Sequence, residues 1–247
     1  MRYLFISFCF IAATILFVGC TKQTTQLNLP LPSDYYPLET GHAFIYRLDS
    51  TVISYSGTSF TVHSYLAKDS IADTILDNQN RLSYRVYRFI TDTLGIYPWQ
   101  PIATYYITPI DHGIEVMDEN NLRFIKLKEP IQNDFSWPGN SYIDTKSAGS
   151  PYQYLDGWNY TYQNVGQPFN VLNGMMNNTI TVLQQDETSP PGDFDPNNYQ
   201  QRNYAVEVYA QNIGLVYKEF LHWTWQPIPG GYEPDSYGIK LNLISYH

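Results

Sequence analysis

Histidine is the side chain used most often for acid–base catalysis and zinc binding, so its spacing is a first test for an enzyme. The five histidines are isolated, and no two His or Cys residues stand three or four positions apart. Neither a Gly-x-Ser-x-Gly elbow nor a glycine-rich phosphate loop occurs. The sequence therefore predicts no catalytic residue, no metal and no cofactor. An enzyme assembled from residues distant in sequence stays open as an alternative, with His222 as its first candidate.

Asp193, Asp195 and Asn197 alternate in a proline-flanked stretch, as the oxygen ligands of a calcium loop do. Asn198 stands where that loop needs glycine, and Tyr204 stands where it needs glutamate. We expect solvated loop carboxylates here.

Aromatic side chains offer a different chemistry, which is stacking on a ligand. Two stretches are rich in them, one around Gly157 and one just before the flexible segment 227–231. Rings on one face of a sheet either form core or line a ligand site, and both interpretations stay open. The candidate stacking residues are Trp158, Tyr160, Tyr162, His222, Trp223 and Trp225.

The clearest covalent chemistry belongs to Cys20. Arg2 precedes an apolar run over residues 3–18, and Gly19 lies directly before the cysteine. This pattern is similar to a lipoprotein signal, in which the thiol receives lipid after cleavage. We expect residues 1–19 to be a lipoprotein signal peptide and Cys20 to carry the lipid. An uncleaved anchor helix is the alternative.

Residues 20–37 are polar and then proline-punctuated, which predicts a lipidated flexible tether. The chain resembles Bacteroidetes-type lipoproteins, in which acidic residues just after the cysteine accompany surface export. Residues 21–25 contain none. The resemblance therefore implies a lipid-anchored protein of the cell envelope, on the periplasmic face of the outer membrane.

Four Asp-Ser/Thr triplets resemble the acceptor for periplasmic O-glycosylation in Bacteroidetes. Their candidate hydroxyl residues are Ser50, Ser70, Thr74 and Thr93. Such triplets also arise by chance at strand edges.

The elements that must position these residues are strands. Tyr, Phe, Trp, Thr, Val and Ile are abundant, and apolar residues alternate with polar ones in many short segments. We predict an all-β fold, a single curved antiparallel sheet or half-open barrel with long loops and little helix, over one domain at residues 38–247. Residues 69–76 are the one candidate helix, and Asn120-Asn121 is a predicted hairpin turn.

The charge of the chain excludes nucleic-acid-binding proteins, and its cysteine content excludes disulfide-stabilised proteins. Without residues 1–19 the chain has thirteen basic and twenty-three acidic residues, a formal charge of −10, which repels nucleic acid. Cys9 lies in the signal and Cys20 takes lipid, so the mature chain has no disulfide. An ordinary apolar core must therefore stabilise it.

Two motifs resemble segments of uncharacterised bacterial lipoproteins. The first is an opening of the form Y-P-L-x-x-G, and the second is a late strand of the form G-L-V-K. Their residues are Tyr36, Pro37, Leu38, Gly41, Phe44 and Tyr46, then Ala210, Asn212, Ile213, Gly214, Leu215, Val216, Lys218 and Glu219. Similar segments occur in lipoprotein-localisation (LolA/LolB-like) half-barrels. The resemblance implies fold but no activity.

These observations predict a membrane-anchored binding protein without catalytic activity, whose partner is an apolar or glycan ligand. A structural component that contacts other envelope proteins is the first alternative, and a hydrolase is the second.

Overall fold

A computed structural model describes residues 29–247; residues 1–19 and Cys20 lie outside this range. The described chain forms thirteen strands and two short 3₁₀ helices, Pro32–Tyr35 and Gln153–Leu155. The strands are β1 Ala43–Ile53, β2 Phe60–Leu76, β3 Leu82–Thr91, β4 Gln100–Ile110, β5 Gly113–Met117, β6 Arg123–Lys128, β7 Ser136–Trp137, β8 Tyr160–Val171, β9 Gly174–Ser189, β10 Gln200–Ala210, β11 Gly214–Gln226, β12 Gly231–Tyr232 and β13 Tyr237–Tyr246.

All the strands belong to one antiparallel sheet. The order is β6-β5-β4-β3-β2-β1-β13-β11-β10-β9-β8-β7, with the short β12 paired to β11. The predicted all-β fold with a single antiparallel sheet is therefore confirmed.

The sheet curves until its two edges meet at a seam. The backbone N–H of Ile125 on β6 donates to the carbonyl of Gly139, just after β7, at 2.9 Å. The indole N–H of Trp137 on β7 donates to the carbonyl of Ile125 at 2.7 Å. These bonds satisfy backbone groups that an open edge would leave exposed. The sheet is thus nearly closed, and one face points inward.

Alternation along each strand places apolar side chains on the inner face. Tyr46 and Leu48 on β1 and Leu241 and Leu243 on β13 are buried, while their outward neighbours are more exposed. A core of this kind stabilises the domain without a disulfide.

The helix predicted at residues 69–76 is wrong, because this stretch is the second half of β2. Asp69 lies opposite Arg88 on β3, and Asp73 lies opposite Arg85, with an ion pair at each position. These cross-strand ion pairs stabilise the extended conformation, and local helix propensity takes no account of them.

Two residues just before the predicted boundary at residue 38 pack against the sheet. Tyr35 is 3% exposed, and the ring of Tyr36 lies 5.5 Å from that of Tyr209, so both belong to the core. The backbone N–H of Asn212 also donates to the carbonyl of Asp34 at 2.6 Å. Burial of two aromatic rings outweighs the proline content that suggested a tether.

The two motifs described in the sequence analysis meet in space. The Tyr46 hydroxyl donates to the carbonyl of Leu215 at 3.0 Å. Gly214 has a φ of +111°, and Pro37 and Phe44 pack against it. The opening motif therefore packs against the late motif.

The hairpin at Asn120-Asn121 is confirmed. Asn121 has a φ of 61°, and its backbone N–H bonds back to Asp118. Among residues 29–247, no helix has the length and apolar character needed to cross a membrane.

Candidate ligand-binding site

The curved sheet encloses a cavity of about 310 Å³. Small-molecule pockets span roughly 300–1,000 Å³, so this cavity suits a small ligand. Strands on both sides of the seam contribute to it, and Tyr36 contributes from the N-terminal segment. Its polar and charged lining includes Arg88, Tyr105, Asp118, Glu119, Lys126, Tyr160, Gln184, Glu207, Tyr209, Lys218 and Glu219.

The base of the cavity carries an ion-pair network, here called the ionic floor: Asp69, Arg88, Lys126, Glu207 and Lys218. The Lys126 ammonium donates to Oε1 of Glu207 at 2.8 Å, and Lys218 lies 3.6 Å from the same oxygen. The Tyr209 hydroxyl donates to Oε2 of Glu207 at 2.7 Å.

These contacts set the protonation of the central carboxylate. Burial alone would raise the pKa of Glu207, but the charges of Lys126 and Lys218 and the hydrogen bonds from Lys126 and Tyr209 outweigh it and lower the pKa to about 2. Burial lowers the pKa of Lys126, and the charge of Glu207 opposes that shift. Glu207 is an acceptor at neutral pH.

A second pair completes the ionic floor. Nε and Nη2 of Arg88 each donate to Asp69 at 2.6 Å, and the Tyr105 hydroxyl donates to Oδ2 of Asp69 at 3.0 Å. Burial opposes the charge on Arg88, but the charge of Asp69 and its hydrogen bonds raise the pKa of Arg88 above its ordinary value. Two-point contact fixes the guanidinium plane.

Four side chains form the aromatic wall: Tyr154, Trp158, Phe220 and Tyr237. Ring centroids lie 6.4 Å apart for Tyr154 and Trp158, 6.3 Å for Trp158 and Phe220, and 4.9 Å for Phe220 and Tyr237. Burial raises the pKa values of Tyr154 and Tyr237, so their hydroxyls stay neutral. Such rings present flat faces suited to stacking.

One polar group in the lining has no partner. Gln184 on β9 is 5% exposed, and its Nε2 makes no hydrogen bond. A buried donor left unsatisfied costs about 1–3 kcal/mol. Gln184 is also the extra residue of a β-bulge, because Gln185 pairs with Ala205 while Leu183 pairs with Val206. Bulges are common where a strand re-aims a side chain at a site.

The opening of the cavity is acidic. Asp118, Glu119 and Asn120 lie at the turn between β5 and β6, and Glu119 and Asn120 are exposed. Burial raises the pKa of Asp118. We call the pair Asp118 and Glu119 the acidic mouth. Tyr36 lines the cavity near the β10–β11 turn, at the opposite end of the sheet.

The six predicted stacking residues occupy different places. Trp158 and Tyr160 line the cavity, whereas Tyr162 lies behind them with its hydroxyl bonded to the backbone of Lys128. His222 stacks on Tyr154 at 4.0 Å. Trp223 and Trp225 point to the other face of β11, where they contact Phe194 and Tyr232 in what we call the outer aromatic cluster.

His222 lacks the surroundings of a catalytic base. It is 1% exposed, and its Nδ1 lies 2.7 Å from Oδ1 of Asn203. Nε2 lies 3.7 Å from Asp235. Burial lowers the pKa of His222, and Asp235 offsets part of that shift. No Ser, Thr or Cys side chain is bonded to it within residues 29–247, and that range contains no cluster of three His, Cys, Asp or Glu residues able to hold a metal.

The remaining candidate residues lie on the surface. Thr74 and Thr93 are exposed, while Ser50 and Ser70 are half-buried within paired strands. Asp195 accepts hydrogen bonds from Asn197 and Asn198, a local turn that uses its oxygens internally.

Sequence reasoning missed Gln184, Lys126, Glu207 and Arg88. A signal for two of them existed. Glu207 occupies an inward position between Ala205 and Tyr209, and Lys126 does so after Phe124. A charged residue at an apolar position of an alternating strand marks a buried partner or a site.

No protein-family model matches this chain, and no curated protein matches it. Among solved structures, a "putative exported protein with YmcC-like fold" from Bacteroides fragilis is similar at 9% sequence identity and a TM-score of 0.35. The alignment covers 85% of this chain and 99% of that chain.

Proposed function

We propose that this protein is an extracytoplasmic, lipid-anchored binding protein that holds a small ligand in its interior cavity without transforming it. The observation that carries the proposal is a cavity of about 310 Å³ with a polar base and an aromatic wall. A purely structural interior would fill that space with apolar side chains.

The lining favours a glycan over an acyl chain. An acyl chain gains free energy from contact with apolar surface, but here it would lie against Lys126, Glu207 and Arg88. A sugar presents hydroxyls to polar groups and C–H faces to aromatic rings, and this cavity offers both. Of the two ligand classes predicted from the sequence, the apolar ligand is therefore the less well supported.

The chain enters the fold at the end opposite the mouth. The carbonyl of Asp34 accepts from Asn212 in the β10–β11 turn, while Glu119 lies at the far end. A lipid on Cys20 would then leave the mouth facing away from the membrane. The proposed periplasmic face of the outer membrane rests on residues 21–25, which contain no acidic residue.

Native mass spectrometry of the detergent-purified lipidated protein, incubated with glycan and lipid extracts of the envelope, tests the binding function. Ile239→Trp fills the cavity lining, and Ile102→Trp, at an exposed position on β4, is the matched control. We expect a retained glycan in the wild type and in Ile102→Trp but not in Ile239→Trp. Equal retention by both variants, with both folded, would refute the cavity as the site.

The anchor has its own test. Cells labelled with palmitate should incorporate label into the wild type and not into Cys20→Ala. Protease added to intact cells should spare the protein, and protease added after outer-membrane permeabilisation should degrade it. An unlabelled wild type, or digestion in intact cells, would contradict the proposed anchor or leaflet respectively.

A partner protein in the envelope is the second candidate, and one observation favours it. Among residues 29–247, the five most exposed large apolar side chains are Tyr55, Leu94, Ile96, Tyr97 and Ile228. They lie in turns that follow β1, β3 and β11, which all end at the same end of the sheet. Photo-crosslinking from Tyr55 and Ile228, with Thr74 at the other end as control, tests this candidate. Crosslinks confined to the Thr74 position would exclude it.

A further inference from the structure

Residues 147–158 cross one end of the sheet, and we call them the crossing segment. They belong to the connection between β7 and β8, two strands at the seam, yet Tyr154 stacks on His222 of β11, three strands beyond β8 in the sheet. Four side chains of the crossing segment, Tyr154 and Trp158 among them, line the cavity. The crossing segment therefore covers the cavity at the end that carries the acidic mouth.

The two sides of the crossing segment are attached by different kinds of contact. On the seam side, the amide of Asn140 donates to the carbonyl of Leu155 at 3.1 Å, and the Tyr160 hydroxyl donates to Oδ1 of Asn140 at 2.7 Å. On the far side the contacts are mainly between rings, with Tyr154 and His222 stacked at 4.0 Å and 18°. The stack on His222 is therefore the contact whose loss would free the far side.

His222 is buried beneath Tyr154 with one ring nitrogen unpaired. It is 1% exposed, and its Nδ1 lies 2.7 Å from Oδ1 of Asn203. Its Nε2 has no hydrogen-bond partner within residues 29–247. A neutral ring with its proton on Nδ1 satisfies Asn203 and leaves only a lone pair on Nε2. A second proton on Nε2 would create a buried cationic donor that lacks an acceptor.

The groups around His222 compensate for that positive charge poorly. Asp235, in the turn before β13, lies 3.7 Å from Nε2, but its side chain is 60% exposed. The other titratable groups packed against the ring are Tyr154 and, opposite it on β13, Tyr237, and burial keeps both hydroxyls neutral by raising their pKa values. The attraction between an imidazolium and the face of Tyr154 is smaller than the cost of burying an unpaired charge. Protonation of His222 is thus unfavourable while the crossing segment is in place.

We propose that the crossing segment is a lid on the cavity, held closed by the stack of Tyr154 on neutral His222 and opened when His222 gains a proton. This inference rests on the proposed binding function and adds its regulation, because the ligand would be held at neutral pH and released in acid. Burial lowers the pKa of His222 from its ordinary value of 6.5 when the lid is closed, and contact with water restores it when the lid opens. The closed form is therefore fully favoured above pH 6.5 and loses that advantage as the pH falls below it.

Thiol labelling of the cavity measures lid opening. Val116 on β5 lines the cavity and is 9% exposed, and Val116→Cys is nearly isosteric. Val62→Cys, at a position on β2 that is 58% exposed, is the matched control. The full lipidated protein is treated at pH 7.5 and 5.5 with 4,4′-dithiodipyridine, which reacts with thiols in acid, and the labelling rate of the cavity thiol is divided by that of the control thiol.

We expect this ratio to rise from pH 7.5 to pH 5.5, to a limit of about tenfold set by the ordinary pKa of histidine. A constant ratio would overturn the lid. A ratio that falls in acid would also overturn it, because Asp235 would then hold the protonated ring in place.

Three variants in the Val116→Cys background test the stack, with circular dichroism to confirm that each is folded. His222→Phe keeps a ring beneath Tyr154 that takes no proton, so its ratio should stay at the neutral-pH level in acid. Tyr154→Ala removes the stack and should give a high ratio at both pH values. Tyr152→Ala, which alters another ring of the crossing segment and of the cavity lining, should keep the wild-type response. An acid response in His222→Phe, or equal ratios in the two alanine variants, would refute the role of the stack.

The labelling needs no ligand, so its outcome is separate from that of the retention assay. A labelling ratio that does not change with pH, together with glycan retention that depends on Ile239, overturns the lid and leaves the binding function intact. Acid-dependent labelling with no molecule retained in the wild type overturns the binding function, and with it the regulatory role of the lid.

Discussion

Strand β11 supplies rings to two clusters on opposite faces of the sheet. Phe220 belongs to the aromatic wall, beside a cavity, an ion-pair network and an unpartnered amide. Trp223 and Trp225 belong to the outer aromatic cluster, where Phe194 and Tyr232 contact both rings. There the indole N–H of Trp225 donates to the carbonyl of Pro196 at 3.0 Å.

The difference shows that ring content alone does not identify a site. The outer aromatic cluster lies at the surface, where Phe194 is 45% exposed, and its Trp225 donor has a partner. The aromatic wall lines an interior cavity. A cavity beside the rings, and not the number of rings, distinguishes a candidate binding surface from a structural cluster.

The largest effect is expected from a substitution that disrupts the ionic floor. Glu207→Ala leaves Lys126 buried without its partner and should lower the free energy of unfolding by about 3–5 kcal/mol. Glu187→Ala, an exposed position on β9, should change it by less than about 0.5 kcal/mol. Urea unfolding measures both, and equal losses would show that the ionic floor is not specially stabilising.

The free energy of unfolding at acid pH should depend on the same carboxylate, that of Glu207. The pKa of Glu207 is about 2 in the folded protein against an ordinary value of 4.5, so its ionised form stabilises the fold above pH 4.5. That contribution, about 3 kcal/mol, is lost as the pH falls from 4.5 towards 2. Urea unfolding at pH 7, 4.5 and 3 should show a shallower acid loss in Glu207→Gln than in the wild type. Identical pH profiles would contradict the low pKa.

A matched tryptophan pair sharpens the contrast between the clusters. Trp158→Phe and Trp225→Phe each remove one buried indole hydrogen bond, to Tyr154 and Pro196 respectively, and each should cost about 1–2 kcal/mol. Only Trp158→Phe should also weaken ligand retention in native mass spectrometry. Loss of retention in Trp225→Phe alone would move the site to the outer aromatic cluster.

The smallest effect is expected at the rim of the outer aromatic cluster. Phe194 is 45% exposed, so Phe194→Leu should lower the free energy of unfolding by less than about 1 kcal/mol. Ligand retention should stay at the wild-type level. Thermal unfolding followed by the retention assay checks both, and a binding defect in this variant would weaken the comparison.

Period-two patterning was enough to predict an all-β fold, because the side chains of a strand alternate between faces whatever its partners are. The same reasoning failed at residues 69–76, where Asp69 and Asp73 interrupt the apolar pattern. Their partners, Arg88 and Arg85, lie on β3, and nothing local to β2 indicates that pairing. Tyr35 and Tyr36 were assigned to the tether for a similar reason, since Tyr209 covers Tyr36 from far along the chain.

The aromatic candidates stay predictions. The sequence places Trp158 and Tyr160 on one sheet face, and both line the cavity. It also grouped His222 with Trp223 and Trp225, although neighbouring residues of a strand face opposite ways and the structure puts them on different sides of β11.

By itself the sequence determined the strands, their inner faces and the absence of cysteine from residues 29–247, since these follow from local alternation and composition. Only the tertiary structure decided that the sheet would close at β6 and β7 and place Lys126 against Glu207, 81 residues away. The physical reason is that strand formation is a local property, whereas a cavity and its charge balance depend on which distant strands become neighbours.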